Sequence, residues 1–266
     1  MNKWRTPYLT ILTIITVCAI LVGSAVHIAG VQIGSFGASS DDPDDTYTNS
    51  YSNSLTESSQ ELGSFTQVKV TAETTNLEIT SGKTSTLTSK ADKNDEITYE
   101  IDNGVLKINE RRKKSWRFLP FLRVRQGGKI TLTIAQGTSL EKADLQLNMG
   151  NVTLTDLKPG QLDVHADMGN ITASGCECGD VTMDANMGNI KVDTCTFDTM
   201  TAGSDMGNIK ISLTEPVENM DLSLSTSMGN VHVNGEKVSK SYETKGNGGK
   251  KLTAQTDMGN IKIQED

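Results

Sequence analysis

The chain has 266 residues, with 33 Asp or Glu against 25 Lys or Arg, so it carries a net charge of −8. An acidic balance of this kind repels phosphate backbones, which excludes a nucleic-acid partner. Its three histidines, His27, His165 and His232, share no spacing with a nucleophile, and no Gly-x-Ser-x-Gly turn or phosphate-cradling loop occurs, so no catalytic site and no cofactor are predicted.

From the N-terminus, residues 1–6 contain Lys3 and Arg5, and no further charge appears before Asp41. Leu9 to Ile28 is almost wholly apolar, and about 20 such residues cross a bilayer as a helix. The expectation is a signal-anchor helix over 7–34 with residues 1–6 in the cytoplasm, because Lys3 and Arg5 precede it and Asp41, Asp42, Asp44 and Asp45 follow. A cleaved signal peptide, cut near Gly23-Ser24-Ala25, is the alternative. Residues 35–64 hold twelve Ser or Thr, six acidic residues and no basic one, a composition that reads as a flexible linker.

Residues 65–266 read as one extracellular domain. Val68-Lys69-Val70, Gly104-Val105-Leu106-Lys107-Ile108 and Lys129-Ile130-Thr131-Leu132-Thr133-Ile134 alternate as strands do. Between the last two lies the one strongly basic stretch, with Arg111, Arg112, Lys113, Lys114, Arg117, Arg123 and Arg125 interleaved with Trp116, Phe118 and Phe121. That mixture suits an anionic lipid surface or a cell-wall polymer, and equally the cap of an apolar domain end; both readings stand.

Next comes the strongest signal. Met-Gly-Asn followed by Ile or Val occurs six times, beginning at Met149, Met168, Met187, Met206, Met228 and Met258, and the first four copies are 19 residues apart. A fixed short period means one supersecondary unit stacked on copies of itself. Each unit alternates apolar residues, as in Leu162, Val164, Ala166 and Met168, then bends at Gly-Asn and alternates again. The fold expected is all-β: a right-handed parallel β-solenoid with ~19-residue turns, eight or nine of them, preceded by one transmembrane helix. The corner motif is Gly150-Asn151, Gly169-Asn170, Gly188-Asn189, Gly207-Asn208, Gly229-Asn230 and Gly259-Asn260. Gly and Asn there are expected to supply positive φ, stacked Asn side chains to bond from turn to turn, and Met to pack inward. The residue before Met reads Asn148, Asp167, Asn186, Asp205, Ser227 and Asp257, so stacking in chain order keeps Asp from meeting Asp.

Cys176 and Cys195 occupy one column of adjacent turns, beneath Leu157. They fit either a disulfide or a small apolar ladder, and a metal site with Cys178 is not expected. Outward positions of the first strand place Asp144, Asp163, Asp167, Asp184, Asp205 and Asp257 on one face, which reads as solvated decoration or as a polysaccharide site. The last turn ends at Ile261-Lys262-Ile263. Either it leaves an open edge for self-association or a partner strand, or Val238 and Tyr242 of the insertion 234–251 cover it.

Together, the anchor, the polar linker, Val68-Lys69-Val70, the strand at 129–134 and the Met-Gly-Asn-Ile turns resemble the bacterial "putative adhesin" β-strand-repeat family, a domain of unknown function that includes LiaG-like proteins. The resemblance implies a right-handed β-solenoid in a cell-envelope protein of Gram-positive bacteria, with a link to envelope stress and no catalytic residues. The function expected is therefore a non-catalytic, membrane-anchored scaffold or binder at the cell envelope. An enzyme on cell-wall polysaccharide and an adhesin for an external surface are the alternatives.

Overall fold

The computed structural model describes residues 55–92, 95–112 and 128–265. The expected membrane helix at 7–34, most of the linker at 35–64 and the stretch from Lys113 to Arg125 lie outside the described residues. No helix among the described residues is long and apolar enough to cross a membrane.

Seven strands precede the exact repeats: β1 (Thr56–Glu61), β2 (Gln67–Ala72), β3 (Thr75–Gly82), β4 (Thr86–Ala91), β5 (Asp95–Asp102), β6 (Val105–Arg112) and β7 (Gly128–Ala135). Each Met-Gly-Asn copy then joins a long strand to a short one: β8 (Leu140–Met149) to β9 (Val152–Thr155), β10 (Pro159–Met168) to β11 (Ile171–Ser174), β12 (Asp180–Met187) to β13 (Ile190–Cys195), and β14 (Thr199–Met206) to β15 (Ile209–Leu213). The fifth copy joins β16 (Met220–Met228) to β17 (Val231–Val233). Two short strands follow, β18 (Glu236–Val238) and β19 (Ser241–Thr244), and the sixth copy joins β20 (Lys250–Met258) to β21 (Ile261–Glu265). The linker reading to residue 64 is corrected by β1, which pairs with β4 from Thr56 to Glu61.

Two sheets result, of eleven and ten strands, and their mostly parallel ladders make a β-solenoid. The strand orders show eight turns, stacked as β6/β7, β2/β3, β8/β9, β10/β11, β12/β13, β14/β15, β20/β21 and β16/β17. Stacking in chain order therefore holds only in the middle. The C-terminal turn is interior: β21 pairs with β15 on one side and β17 on the other. The open C-terminal end is thus overturned, and the physical advantage is plain, because an interior turn leaves no strand of its own unpaired.

The true ends are closed by antiparallel strands. At one end β5 returns on β6 through Asn103-Gly104, and β4 and β1 extend from β7. At the other, β18 returns on β17 through Asn234-Gly235, and β19 covers β16. Both Asn-Gly pairs have positive φ at the two central residues, the conformation that matches a two-residue hairpin to strand twist. The 234–251 insertion, expected to cover the last turn, covers the preceding one instead: β18 and β19 pair with β17 and β16, and Val238 and Tyr242 pack half-buried against the core there. Short, polar edge strands such as these are poor templates for further pairing.

The core is the layer between the sheets. Leu162, Val164 and Ala166 are buried, as are Val181, Met183 and Ala185 in the next turn and Ile171, Ile190 and Ile209 after the corner. The alternation breaks at the motif itself. Ala166 pairs with Ala185 and Met168 with Met187, yet Asp167 and Met168 both face outward, and the six motif methionines are 41–61% exposed. Inward Met packing is therefore corrected: the chain turns at the end of the strand, and the inner corner is filled by Ala166, Ala185 and their equivalents with the following Ile.

Gly at the corner is required by contact more than by φ. A Cβ on Gly169, Gly188, Gly207 or Gly259 would lie 1.9 Å from the carbonyl oxygen of the glycine in the next turn, and one on Gly229 would lie 1.8 Å away. Gly150, at the start of the column, would meet the Thr75 carbonyl oxygen at 2.3 Å. Nor does Asn supply positive φ, since none of the six motif asparagines has it. Its role is the ladder. Asn76 Oδ1 accepts from the Asn151 amide at 2.8 Å, and the same bond repeats at 2.9–3.0 Å through Asn170, Asn189, Asn208, Asn260 and Asn230. Each Asn Nδ2 donates to the same oxygen, so the ladder runs through seven turns. Where the inner-corner alanine becomes Ser204, Thr256 or Thr226, the hydroxyl donates to a corner glycine carbonyl at 2.9–3.0 Å.

Candidate anion-binding face

The short strands after each corner carry one outward side chain per turn, and parallel register lines these up. From the middle of the solenoid the column reads Thr153, Thr172, Lys191, Lys210, Lys262, His232 and Lys237. In chain order Lys262 follows His232; in space it lies between Lys210 and His232. The last five positions form an unbroken row of cations and one imidazole, ~19 Å long at the usual strand spacing.

Lys191 has one carboxylate, Asp193, at 3.5 Å. Among the described residues no carboxylate lies within ion-pair distance of Lys210, Lys262 or Lys237. Beside Lys210 and Lys262 the next row along the strands offers buried Ser212 and half-buried Gln264, which bond to each other at 3.3 Å, where Lys191 has Asp193. Unit charges ~5 Å apart in water repel by about 0.8 kcal/mol per pair, and among the described residues only Asp193, at Lys191, offsets that. A chain of anions laid along the row converts each repulsion into an attraction. The sequence showed these residues only as a broken series, because the swapped order of the last two turns is not written in the repeat.

The basic stretch expected to touch membrane or polymer is described only at its start. Arg111 and Arg112 end β6 at the far end of the solenoid, exposed, opposite Glu96 and Asp95 of β5. Lys113, Lys114, Trp116, Arg117, Phe118, Arg123 and Arg125 lie outside the described residues.

The opposite sheet holds a shallow groove of about 370 Å³ lined by His165, Asp184, Gly203, Asp205, Gln255 and Asp257. Its floor exists because position 203 is Gly, where a Cβ would stand 2.5 Å from Asp184 Oδ1. Burial holds the Asp184 carboxyl above the usual carboxylate range; Asp205 adds to the shift and His165 opposes it. His165 Nε2 bonds Asp167 Oδ1 at 3.0 Å. The expected avoidance of stacked Asp is corrected in this groove. Asp167 accepts from Asn186 Nδ2 at 2.9 Å, as alternation requires, but the interior placement of β20 sets Asp257 beside Asp205, with Ser227 at the outer end. No group of three or more His, Cys, Asp or Glu among the described residues is arranged to hold a metal ion.

Cys176 and Cys195 are buried on adjacent turns in one column with Leu157, and both are free thiols. The Cys176 amide donates to Cys195 Sγ at 3.3 Å. The hydrogen bond between the two thiols, with burial, pushes Cys176 far up and keeps it protonated. Cys178 is pushed up to about 12 by burial.

The family model described as Toastrack DUF4097 matches residues 65–201. The chain belongs to that family. No match is found among curated proteins. Similar solved structures include a "putative cell adhesion protein" from Clostridium sporogenes, at 12% identity over 80% of this chain and 100% of that one, with a TM-score of 0.39. A "putative adhesin" from Bacteroides fragilis is 16% identical over 79% of this chain and 96% of that one, with a TM-score of 0.44. A "putative lipid binding protein" from Parabacteroides distasonis is 14% identical over 81% and 98%, with a TM-score of 0.32.

Proposed function

We propose that this Toastrack chain is a non-catalytic binding protein of the cell envelope, whose right-handed solenoid stands outside the membrane on the helix at 7–34 and grips an anionic envelope polymer along the row Lys191, Lys210, Lys262, His232 and Lys237. The row carries this reading, because it lines up Lys210, Lys262 and Lys237, without ion-pair partners among the described residues, beside Lys191 on an otherwise acidic molecule. Handedness follows from the near-universal right-handed crossover between parallel strands of one sheet. Membrane anchoring is supported by the uncharged run from Thr6 to Ser40 behind Lys3 and Arg5. A polymer-reading protein held close to the membrane is placed to report envelope stress, and an adhesin for an external surface would use the same face.

The test is binding of full-length protein in detergent micelles to poly(glycerol phosphate), compared with Lys210→Gln/Lys262→Gln/Lys237→Gln. We expect affinity to fall at least tenfold and its salt dependence to flatten, since each lost cation releases fewer counterions. Equal affinity and equal salt slope would refute the row as the site. Replacing Arg111, Arg112, Lys113 and Lys114 by Gln and measuring co-sedimentation with anionic liposomes tests the other end in the same way; unchanged sedimentation removes lipid contact there. The one observation favouring an enzyme is the raised Asp184 in the groove, and Asp184→Asn with cell-wall glycan as substrate separates the two readings, since loss of released sugar would establish hydrolysis.

A further inference from the structure

The six motif methionines form a second continuous column. Met149 pairs with Met168, Met168 with Met187, Met187 with Met206, Met206 with Met258 and Met258 with Met228, all in parallel register. Each is 41–61% exposed, whereas Met183, Met200 and Met220 are buried in the core. Six side chains that stay 41–61% exposed lie outside the core, and along that open side the column presents another property of methionine. That property is the soft, uncharged thioether sulfur, which selects monovalent soft cations over the harder ions of ordinary surroundings.

We infer that the Met149–Met168–Met187–Met206–Met258–Met228 column is a binding ladder for soft monovalent cations, Cu(I) or Ag(I), each held between the thioethers of two neighbouring turns. The spacing suits it: parallel register roots neighbouring methionines one strand spacing, ~4.8 Å, apart, so two flexible thioethers can reach one ion between them. The electrostatics suit it as well. Asp167, Asp205 and Asp257 directly precede Met168, Met206 and Met258, and the interior position of β20 makes Asp205 and Asp257 neighbours on either side of one gap. A cation at that gap relieves the repulsion between those carboxylates. With each sulfur used once, the six thioethers hold up to three ions.

The inference is independent of the polymer site, which lies on the short strands beyond the corner, and it is tested separately. Full-length protein labelled with 13C at the methionine methyls, in detergent micelles, is titrated with Ag(I). The methyl resonances of the six column residues are expected to shift together, and those of Met183, Met200 and Met220 to stay. Two double variants supply the decisive contrast. Met168→Leu/Met206→Leu keeps only Met258 and Met228 adjacent, so Met149 and Met187 should lose their response and methionine-bound silver should fall from three ions to one. Met149→Leu/Met228→Leu also removes two sulfurs but leaves four in a row, so all four should respond and two ions remain. Equal loss in the two variants would show independent thioethers and overturn the ladder. Unshifted column resonances in the parent would overturn soft-metal binding altogether, and a folded core in every sample is verified by the unchanged Met183, Met200 and Met220 signals.

Discussion

Replacing Gly188 by Ala isolates the reason for glycine at the corner. The new Cβ would stand 1.9 Å from the Gly169 oxygen and 2.6 Å from its carbon, where about 3.4 Å is needed, so the two turns must part by more than an ångström. Parting loosens the Gly169 amide bond to the Met187 oxygen, at 3.1 Å, and the two Asn189 bonds to Asn170 Oδ1, at 2.9 and 3.0 Å. At about 1 kcal/mol each, with a further ~1 kcal/mol for strain in the packed corner, the loss is roughly 4 kcal/mol. For a folded unit of this size that lowers the thermal midpoint by about 10 °C, readable by circular dichroism. Gly137→Ala is the control: its φ is +87° with nothing within 4 Å, so it costs only the left-handed penalty of about 1 kcal/mol. If Gly137→Ala proved the more damaging of the two, or if Gly188→Ala left the midpoint within 1 °C of the parent, the contact argument would be wrong.

Three further outcomes are expected. Asn170→Leu removes the acceptor for Asn189 and the donor to Asn151, and should cost about 2 kcal/mol in urea titration; Asn170→Asp keeps the acceptor and should cost about half as much. Asp184→Asn should raise thermal stability at pH 7, because burial disfavours the charged carboxylate in the fold. That gain should fade as pH falls through the raised value, and vanish by about pH 3, where Asp184 is neutral in both folded and unfolded chains. Replacing residues 236–244 by a Gly-Ser linker uncovers the edges of β16 and β17, so light scattering should show self-association that the parent lacks.

The repeat was readable because its period exposes the geometry of a turn: Leu162, Val164 and Ala166 alternate as a strand must, and the asparagine ladder follows from any in-register stack of Met-Gly-Asn. Met168 misled because period-two alternation was carried one step past the strand into the corner, where the chain changes direction and Asp167 and Met168 both face out. Asp257 misled for another reason. Its neighbour is set by which turn stacks on which, and the motif at Met258 fits beside Met206 as well as beside Met228.

The amino-acid order was enough to establish a solenoid of stacked strand–corner–strand turns, since a repeated local pattern can bury its apolar face only against copies of itself. Its candidate membrane anchor and polar linker rest on the same kind of local reading. Which turns become neighbours was decided by tertiary structure alone. Identical corners give every turn nearly the same pairing energy, and at this end the hairpin at Asn234-Gly235 closes the outer edge of β17, leaving the C-terminal turn between β15 and β17. That threading completes the lysine row, sets Asp205 beside Asp257 and makes six methionines one continuous column.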